Sequence, residues 1–279
     1  MSSSENIRIA VLDLYEGTPN EGMRNIRELI EGLAIQLHVP LRYDIFDVRQ
    51  KAEVPGPDYD AYISSGGPGS PLSTEGTEWE HKYFGLMDAL QEHNRHNPGD
   101  KKHVLLICHS FQVFTRYYRY GVVSKRKSSS FGVLPVYKTS EGRHDPMLKS
   151  LGDPFWTVDS RDYQITQPDD SKIRKGGGAI LCLEKLRPHV DLERAVMAIR
   201  FDEAFIGTQF HPEADPVGMR MYLLRTDKKE LVVEKHGEQK YREMLDHLND
   251  PDKIRLTNQT VIPRFLMNAL QQRLISVSP

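Results

Sequence analysis

An α/β fold, with a mostly parallel open sheet, helices on both faces and a helical C-terminal extension, is predicted by three observations. Strand-like and helix-like segments alternate through the first three-quarters of the chain, and such alternation builds a parallel sheet covered on both sides. The run Val104-Leu105-Leu106-Ile107 is continuously apolar, as a strand buried on both faces must be. The 279 residues, 38% hydrophobic and 9% aromatic, suffice for one large domain with a core.

The elements follow in order. Ile7 to Leu12 is a short β-rich run. From Met23 to Leu37, apolar residues at Ile26, Leu29, Ile30, Leu33 and Leu37 recur at helical spacing. Residues 41–48 and 59–65 read as the second and third strands, and Thr77 to His96 as a long amphipathic helix stopped by Asn97-Pro98-Gly99. The apolar strand 104–107 leads into a helix over 111–120 that ends at Gly121. Lys125 to Ser130 reads as a solvated loop. Short β-like pieces at 132–137, 155–158 and 179–183 are separated by Pro, Gly and Asp. Residues 195–201 and 205–210 form a hairpin turning at Asp202-Glu203. Beyond His211 the pattern is helical and charged over 217–247, with a last helix around 264–274. Its stripe of Ile262, Phe265, Leu266, Leu270 and Leu274 either caps the sheet or makes a subunit contact, so a homo-oligomer is one expectation. Residues 1–215 are expected to form the α/β domain, with 216–279 as an extension packed on it.

Composition excludes several classes. Lys and Arg number 37 against 39 Asp and Glu, a net charge of -2, which argues against a nucleic-acid binder. No apolar run approaches the roughly 18 residues of a membrane span. The start, MSSSENIR, has no apolar signal core. Two cysteines, Cys108 and Cys182, are too few for a disulfide framework, and the expected compartment is the reducing cytoplasm. The sequence suggests neither a metal site nor a cofactor.

Chemistry is carried by three segments. Cys108 closes the apolar strand and opens the next helix, at the carboxyl edge where parallel sheets bind ligands. A helix start favours the thiolate, and a sharp strand-to-helix turn is the thiol form of a nucleophile elbow. Cys182, in the middle of an apolar strand, reads as structural. In Gln209-Phe210-His211-Pro212-Glu213, residues two apart share a side of an extended chain. His211 can therefore act as base, with Glu213 orienting it. Ser65-Gly66-Gly67-Pro68-Gly69-Ser70 follows a strand and offers backbone N–H groups to an oxyanion. In Asp159-Ser160-Arg161-Asp162, Arg161 reads as a surface ion pair, with a substrate carboxylate as the alternative partner.

Together these three segments resemble a class I glutamine amidotransferase domain, similar to the amidotransferase part of GMP synthase. Asp58-Tyr59-Asp60-Ala61, Trp79 and Phe131-Gly132-Val133-Leu134-Pro135-Val136 fit the same pattern, and the likeness runs over about residues 7 to 215. Leu106 and Ser110 stand where the family usually has glycine on either side of the nucleophile. The resemblance implies that Cys108 attacks the side-chain amide of glutamine, with His211 as base and then acid and Glu213 orienting it. It further implies that Gly67 and His109 supply oxyanion N–H groups and that Gln112 helps hold the substrate. Any ammonia-using step would fall to a separate synthetase partner, since about 65 residues after Glu213 are too few for such a domain. Two alternatives stay open: a γ-glutamyl hydrolase or other amidase, and a non-catalytic binding protein of the same fold.

Overall fold

The computed structural model describes residues 7–189, 191–271 and 273–274. Its strands are β1 (Ile7–Asp13), β2 (Leu41–Asp47), β3 (Ala61–Ser64), β4 (His103–Ile107), β5 (Val122–Lys138), β6 (Phe155–Thr166), β7 (Ala179–Leu183), β8 (Val196–Arg200) and β9 (Phe205–Thr208). They form one sheet in the order β2-β1-β3-β4-β9-β8-β7-β5-β6. The strands from β2 to β9 in that order pair in parallel. From β9 onward every pairing is antiparallel, so the sheet is mixed. The switch has a local cause: the short turn at Asp202-Glu203 joining β8 to β9 leaves no room for a crossover, and a hairpin must pair antiparallel.

The larger helices are α1 (Gly22–Leu37), followed after the single turn α2 (Val48–Lys51) by α3 (Glu78–His96) and α4 (His109–Tyr117). Two short helices, α5 (Ser140–His144) and α6 (Asp170–Lys175), precede α7 (Pro216–Leu224), α8 (Thr226–His236), α9 (Glu238–Asn249) and α10 (Leu256–Ala269). Side chains alternate across the sheet. Ile9, Val11, Ile63 and Leu105 pack on one face with α1 and α10. Ala10, Leu12, Tyr62 and Leu106 pack on the other with α3 and α4. Leu106 thus fills the core on the α3–α4 face, where an apolar side chain is stabilising. A third cluster joins Val133 and Val158 of the β5–β6 ribbon to α7, α8 and α9.

Several elements differ from the sequence reading. Lys125 to Ser130 is part of β5, paired with β6 across a register shift. Its ends pair with β6, Lys125 with Tyr163 and Ser130 with Arg161, and residues 126–129 form the irregularity between them. Helix α4 ends at Tyr117, before Arg119 takes a positive φ of 54°. Helix α10 begins at Leu256, where Thr257 Oγ1 donates to the carbonyl of Trp156 at 2.6 Å and secures the first turn. Its apolar stripe caps the sheet: Val261, Ile262, Leu266 and Leu270 are fully buried in the α1 core. No described helix is long and apolar enough to cross a membrane.

Candidate active site

The elbow is built by backbone strain held in place from several sides. Cys108 has φ 49° and ψ -96°, in the region that ordinary L-residues avoid at a cost of about 1–3 kcal/mol. Its N–H donates to the Thr208 carbonyl at 2.7 Å, and its carbonyl accepts from Gln112 N at 3.0 Å. Ser110 Oγ accepts from Ile107 N at 2.8 Å and donates to the Ser64 carbonyl at 2.9 Å, fastening the turn to β3. The hydroxyl at this position is therefore a fully buried and fully paired fastener. The thiol itself is 5% exposed and accepts from Gln209 Nε2 at 3.6 Å. Gln209 Oε1 in turn accepts from Gln112 Nε2 at 3.1 Å, so Gln112 reaches the thiol through Gln209.

His211 is carried to the elbow by the ribbon. Its N–H donates to the Val158 carbonyl of β6 at 2.9 Å, and neighbouring Phe210 is fully buried edge-on to Phe155. His211 Nδ1 lies 2.7 Å from Glu213 Oε1, and the ring lines the same cavity as Cys108. Burial opposes charge on the ring, but the Glu213 carboxylate and Cys108 outweigh it and hold the imidazole pKa well above the usual 6.5. Glu213 is 1% exposed, and Asn258 Nδ2 of α10 donates to its carbonyl at 2.8 Å. A helix remote in sequence therefore braces the segment.

The glycine loop meets these groups at close range. A Cβ on Gly66 would lie 2.9 Å from His211 Cε1 and 3.3 Å from the Tyr15 hydroxyl; on Gly67 it would lie 2.3 Å from the Leu14 carbonyl. Neither position has room for a side chain. Arg49 Nη1 donates to the Pro68 carbonyl at 2.6 Å, pinning the loop from α2. Tyr15, just beyond β1, turns its hydroxyl into the same space. Burial, and then the nearness of Glu213 and Cys108, raise its pKa well above the usual 10, so the phenol remains a donor. Burial, reinforced by Arg49 and Arg116, lowers the His109 pKa to about 3, so its ring is neutral.

All six site residues expected from the sequence, Cys108, His211, Glu213, Gly67, His109 and Gln112, line one cavity of about 1150 Å³. Tyr15, absent from that set, lines it too. Its position at the carboxyl end of a parallel strand was the available signal. Arg161 also lines the cavity but is not in a surface pair. It is 1% exposed at the side chain, with Nε 2.9 Å from Asp159 Oδ1 and Nη2 3.7 Å from Glu184. Arg126 completes this buried network with Glu184 at 2.9 Å. Asp159, two residues away on β6, shares Arg161's side of the strand, whereas Glu184, just beyond β7, is brought to the same guanidinium only by the fold. Among the described residues, no group of three or more His, Cys, Asp or Glu is arranged to hold a metal ion.

None of the curated proteins compared with the chain matches it. Solved structures do. A glutamine amidotransferase from Thermotoga maritima superposes with a TM-score of 0.66 at 15% identity, covering 96% of this chain and 99% of that one. A glutamine amidotransferase from Methylobacillus flagellatus gives 0.60 at 16% identity, covering 99% and 96%. A GMP synthase-like protein from Thermoplasma acidophilum, described as one component of that enzyme, gives 0.54 at 16%, covering 98% and 99%. At such identities the likeness is one of fold. The sequence model of the family described as glutamine amidotransferase class-I matches residues 23–230, well over half of the chain and spanning the elbow, the glycine loop and the His-Pro-Glu segment. The chain belongs to the class I glutamine amidotransferase family.

Proposed function

We propose that the chain hydrolyses the side-chain amide of glutamine through a thioester on Cys108. The observation that carries this reading is one cavity holding the strained Cys108 elbow beside an imidazole that Glu213 grips at 2.7 Å. Cys108 Sγ attacks the amide carbon while His211 holds the thiol proton. The backbone N–H groups of Gly67 and His109 stabilise the oxyanion, and Gln112, acting through Gln209, orients the thiol side of the site. His211 then gives the proton to the departing ammonia. Water, activated by the same ring, cleaves the thioester to glutamate.

Residues 1–215 carry this chemistry, and 216–279 complete the domain by bracing Glu213 and walling the cavity. The ammonia passes to a separate synthetase partner. This reading is supported by the likeness to a protein described as one component of a GMP synthase. Two free cysteines accord with a cytoplasmic setting.

Incubating the full chain with glutamine tests the proposal. Glutamate and ammonia should appear in equal amounts, and Cys108→Ala should release neither. An electrophilic glutamine analogue should add to Cys108 and spare Cys182, whose burial raises its thiol pKa well above 9. Adduct formation on Cys182 with Cys108 unmodified would overturn the assignment.

A further inference from the structure

We infer that Tyr15 and Asn25 hold the water that breaks the thioester, as two further catalytic side chains of the reaction. This role presupposes the proposed thioester chemistry and belongs to its second half, in which water replaces the departed ammonia.

Three segments bring the pair together in the thiol's cavity. Tyr15 lies just beyond the carboxyl end of β1, and its hydroxyl meets His211 over the glycine loop. A Cβ on Gly66 would stand 3.3 Å from the phenol oxygen and 2.9 Å from His211 Cε1. On its other side the hydroxyl abuts the start of α1, where a Cβ on Gly22 would overlap it. Gly22 and Asn25 are three residues apart in the first turn of α1, so they share a face of that helix. Gly22, Asn25 and Tyr15 all line the cavity with Cys108 and His211.

Asn25 is out of place among apolar neighbours. The other buried residues of α1 are Met23, Ile26, Ile30 and Leu33. Asn25 is 3% exposed, and its Oδ1 is buried with no hydrogen-bond partner among the described residues. Glu213 Oε2 is buried and unpartnered in the same way. An acceptor left so is costly, and a bound donor accounts for it. Free acceptors beside a phenol suit a small molecule with O–H bonds and repel an anion. A buried water typically makes about three hydrogen bonds to such groups.

The chemistry sets where that water must stand. Glu213 engages His211 Nδ1, so Nε2 is the atom that exchanges protons with the reacting groups. Ammonia leaves with a proton from Nε2, and the water that takes its place gives one back. The second O–H of the water donates to Asn25 Oδ1. The Tyr15 O–H donates to the water oxygen, leaving one lone pair for the acyl carbon. Burial, and then Glu213 and Cys108, keep that phenol protonated. As the C–O bond forms the C–S bond breaks, and the sulfur leaves as a thiolate beside the His211 imidazolium. The new carboxyl gives its remaining proton to solvent, and glutamate is released.

Competition between water and hydroxylamine on the full-length protein tests the assignment. With glutamine as acyl donor, water yields glutamate and hydroxylamine yields γ-glutamylhydroxamate. Their ratio depends only on steps after the thioester forms. Hydroxylamine attacks as a neutral amine with no proton removed first, so it depends less on a held position than water does. Tyr15→Phe keeps the ring and removes one oxygen, whereas Asn25→Leu keeps the volume and removes the acceptor. Each should raise the hydroxamate-to-glutamate ratio about tenfold at fixed hydroxylamine, as loss of one hydrogen bond to the nucleophile predicts. Tyr15→Phe decides alone if Asn25→Leu does not fold. A parental ratio in Tyr15→Phe would overturn the water site, even where both products fall together, because a purely structural role lowers them equally. That result, from a parent that does release ammonia from glutamine, rejects the water site alone. A parent that forms neither product rejects the thioester chemistry and the water site with it.

Discussion

The two walls of the cavity are built on opposite plans. The inner wall hangs from the carboxyl ends of β1, β3, β4 and β9, and each of its groups is held more than once. Cys108 is fixed by Thr208, Gln112 and Gln209, the elbow by Ser110, and the glycine loop by Arg49. The outer wall of α7 and α8 has few such ties and leaves Met221 and Leu231 partly in solvent. The contrast separates two physical requirements. A nucleophile at φ 49° persists only if its surroundings over-determine it, whereas a surface that accommodates variable groups needs apolar area and charge more than fixed geometry.

The largest test of that contrast removes residues 251–279. This takes away α10, including Val261, Ile262, Leu266 and Leu270 from the sheet core and Asn258 from Glu213. Each lost aliphatic contact costs about 2–5 kcal/mol by analogy with core truncation to alanine, so the four together are comparable with a typical net stability of about 5–15 kcal/mol. The truncated chain should show no cooperative thermal transition. A melt like that of the parent would mean that the inner wall stands without α10.

Glu213→Gln should come next, lowering kcat roughly 10³- to 10⁴-fold by analogy with loss of the orienting carboxylate in a catalytic triad, yet leaving a measurable rate. It should also lower the His211 pKa, because burial then acts without the carboxylate that opposes it. NMR of the imidazole reads this directly. The sign extends to stability: a raised His211 pKa stabilises the fold in full below pH 6.5, the value of a free ring, and the benefit disappears as pH rises through the folded-state pKa. The stability gap between parent and variant should therefore narrow as the solution becomes alkaline. A gap that widened, or an unmoved ring, would remove Glu213 from its proposed place.

The smallest effect is the most specific. In Gly66→Ala the new methyl would sit 2.9 Å from the His211 ring and displace it. Displacement on that scale should cost about 100-fold in kcat. A matched change on the outer wall, Leu231→Ser at a cavity-lining side chain 39% exposed, should leave kcat for glutamine within about twofold and stability within about 0.5 kcal/mol. Similar losses in the two variants would erase the distinction between the walls.

Much of the inner wall is legible in one dimension because its determinants are local. A continuous apolar run, a cysteine at its end and glycines after a strand each state a backbone requirement in adjacent residues. The parallel half of the sheet, the hairpin at Asp202-Glu203 and the cap stripe of α10 were readable for the same reason. The run Lys125 to Ser130 misleads because its strand character comes from β6, more than 30 residues away along the chain.

The amino-acid sequence alone determined the α/β class, the segments bearing Cys108, His211 and Glu213, and the family to which they point, since periodicity and contiguous motifs are properties of neighbours along the chain. Tertiary structure alone decided that Tyr15 enters the site, that Arg161 is buried beside Glu184, and that Ser110 fastens the elbow to Ser64. It also decided that α8 turns Lys228 and Lys235 toward the thiol's cavity. These are contacts between segments far apart in sequence. Their energies depend on distance and burial, which no residue specifies by itself.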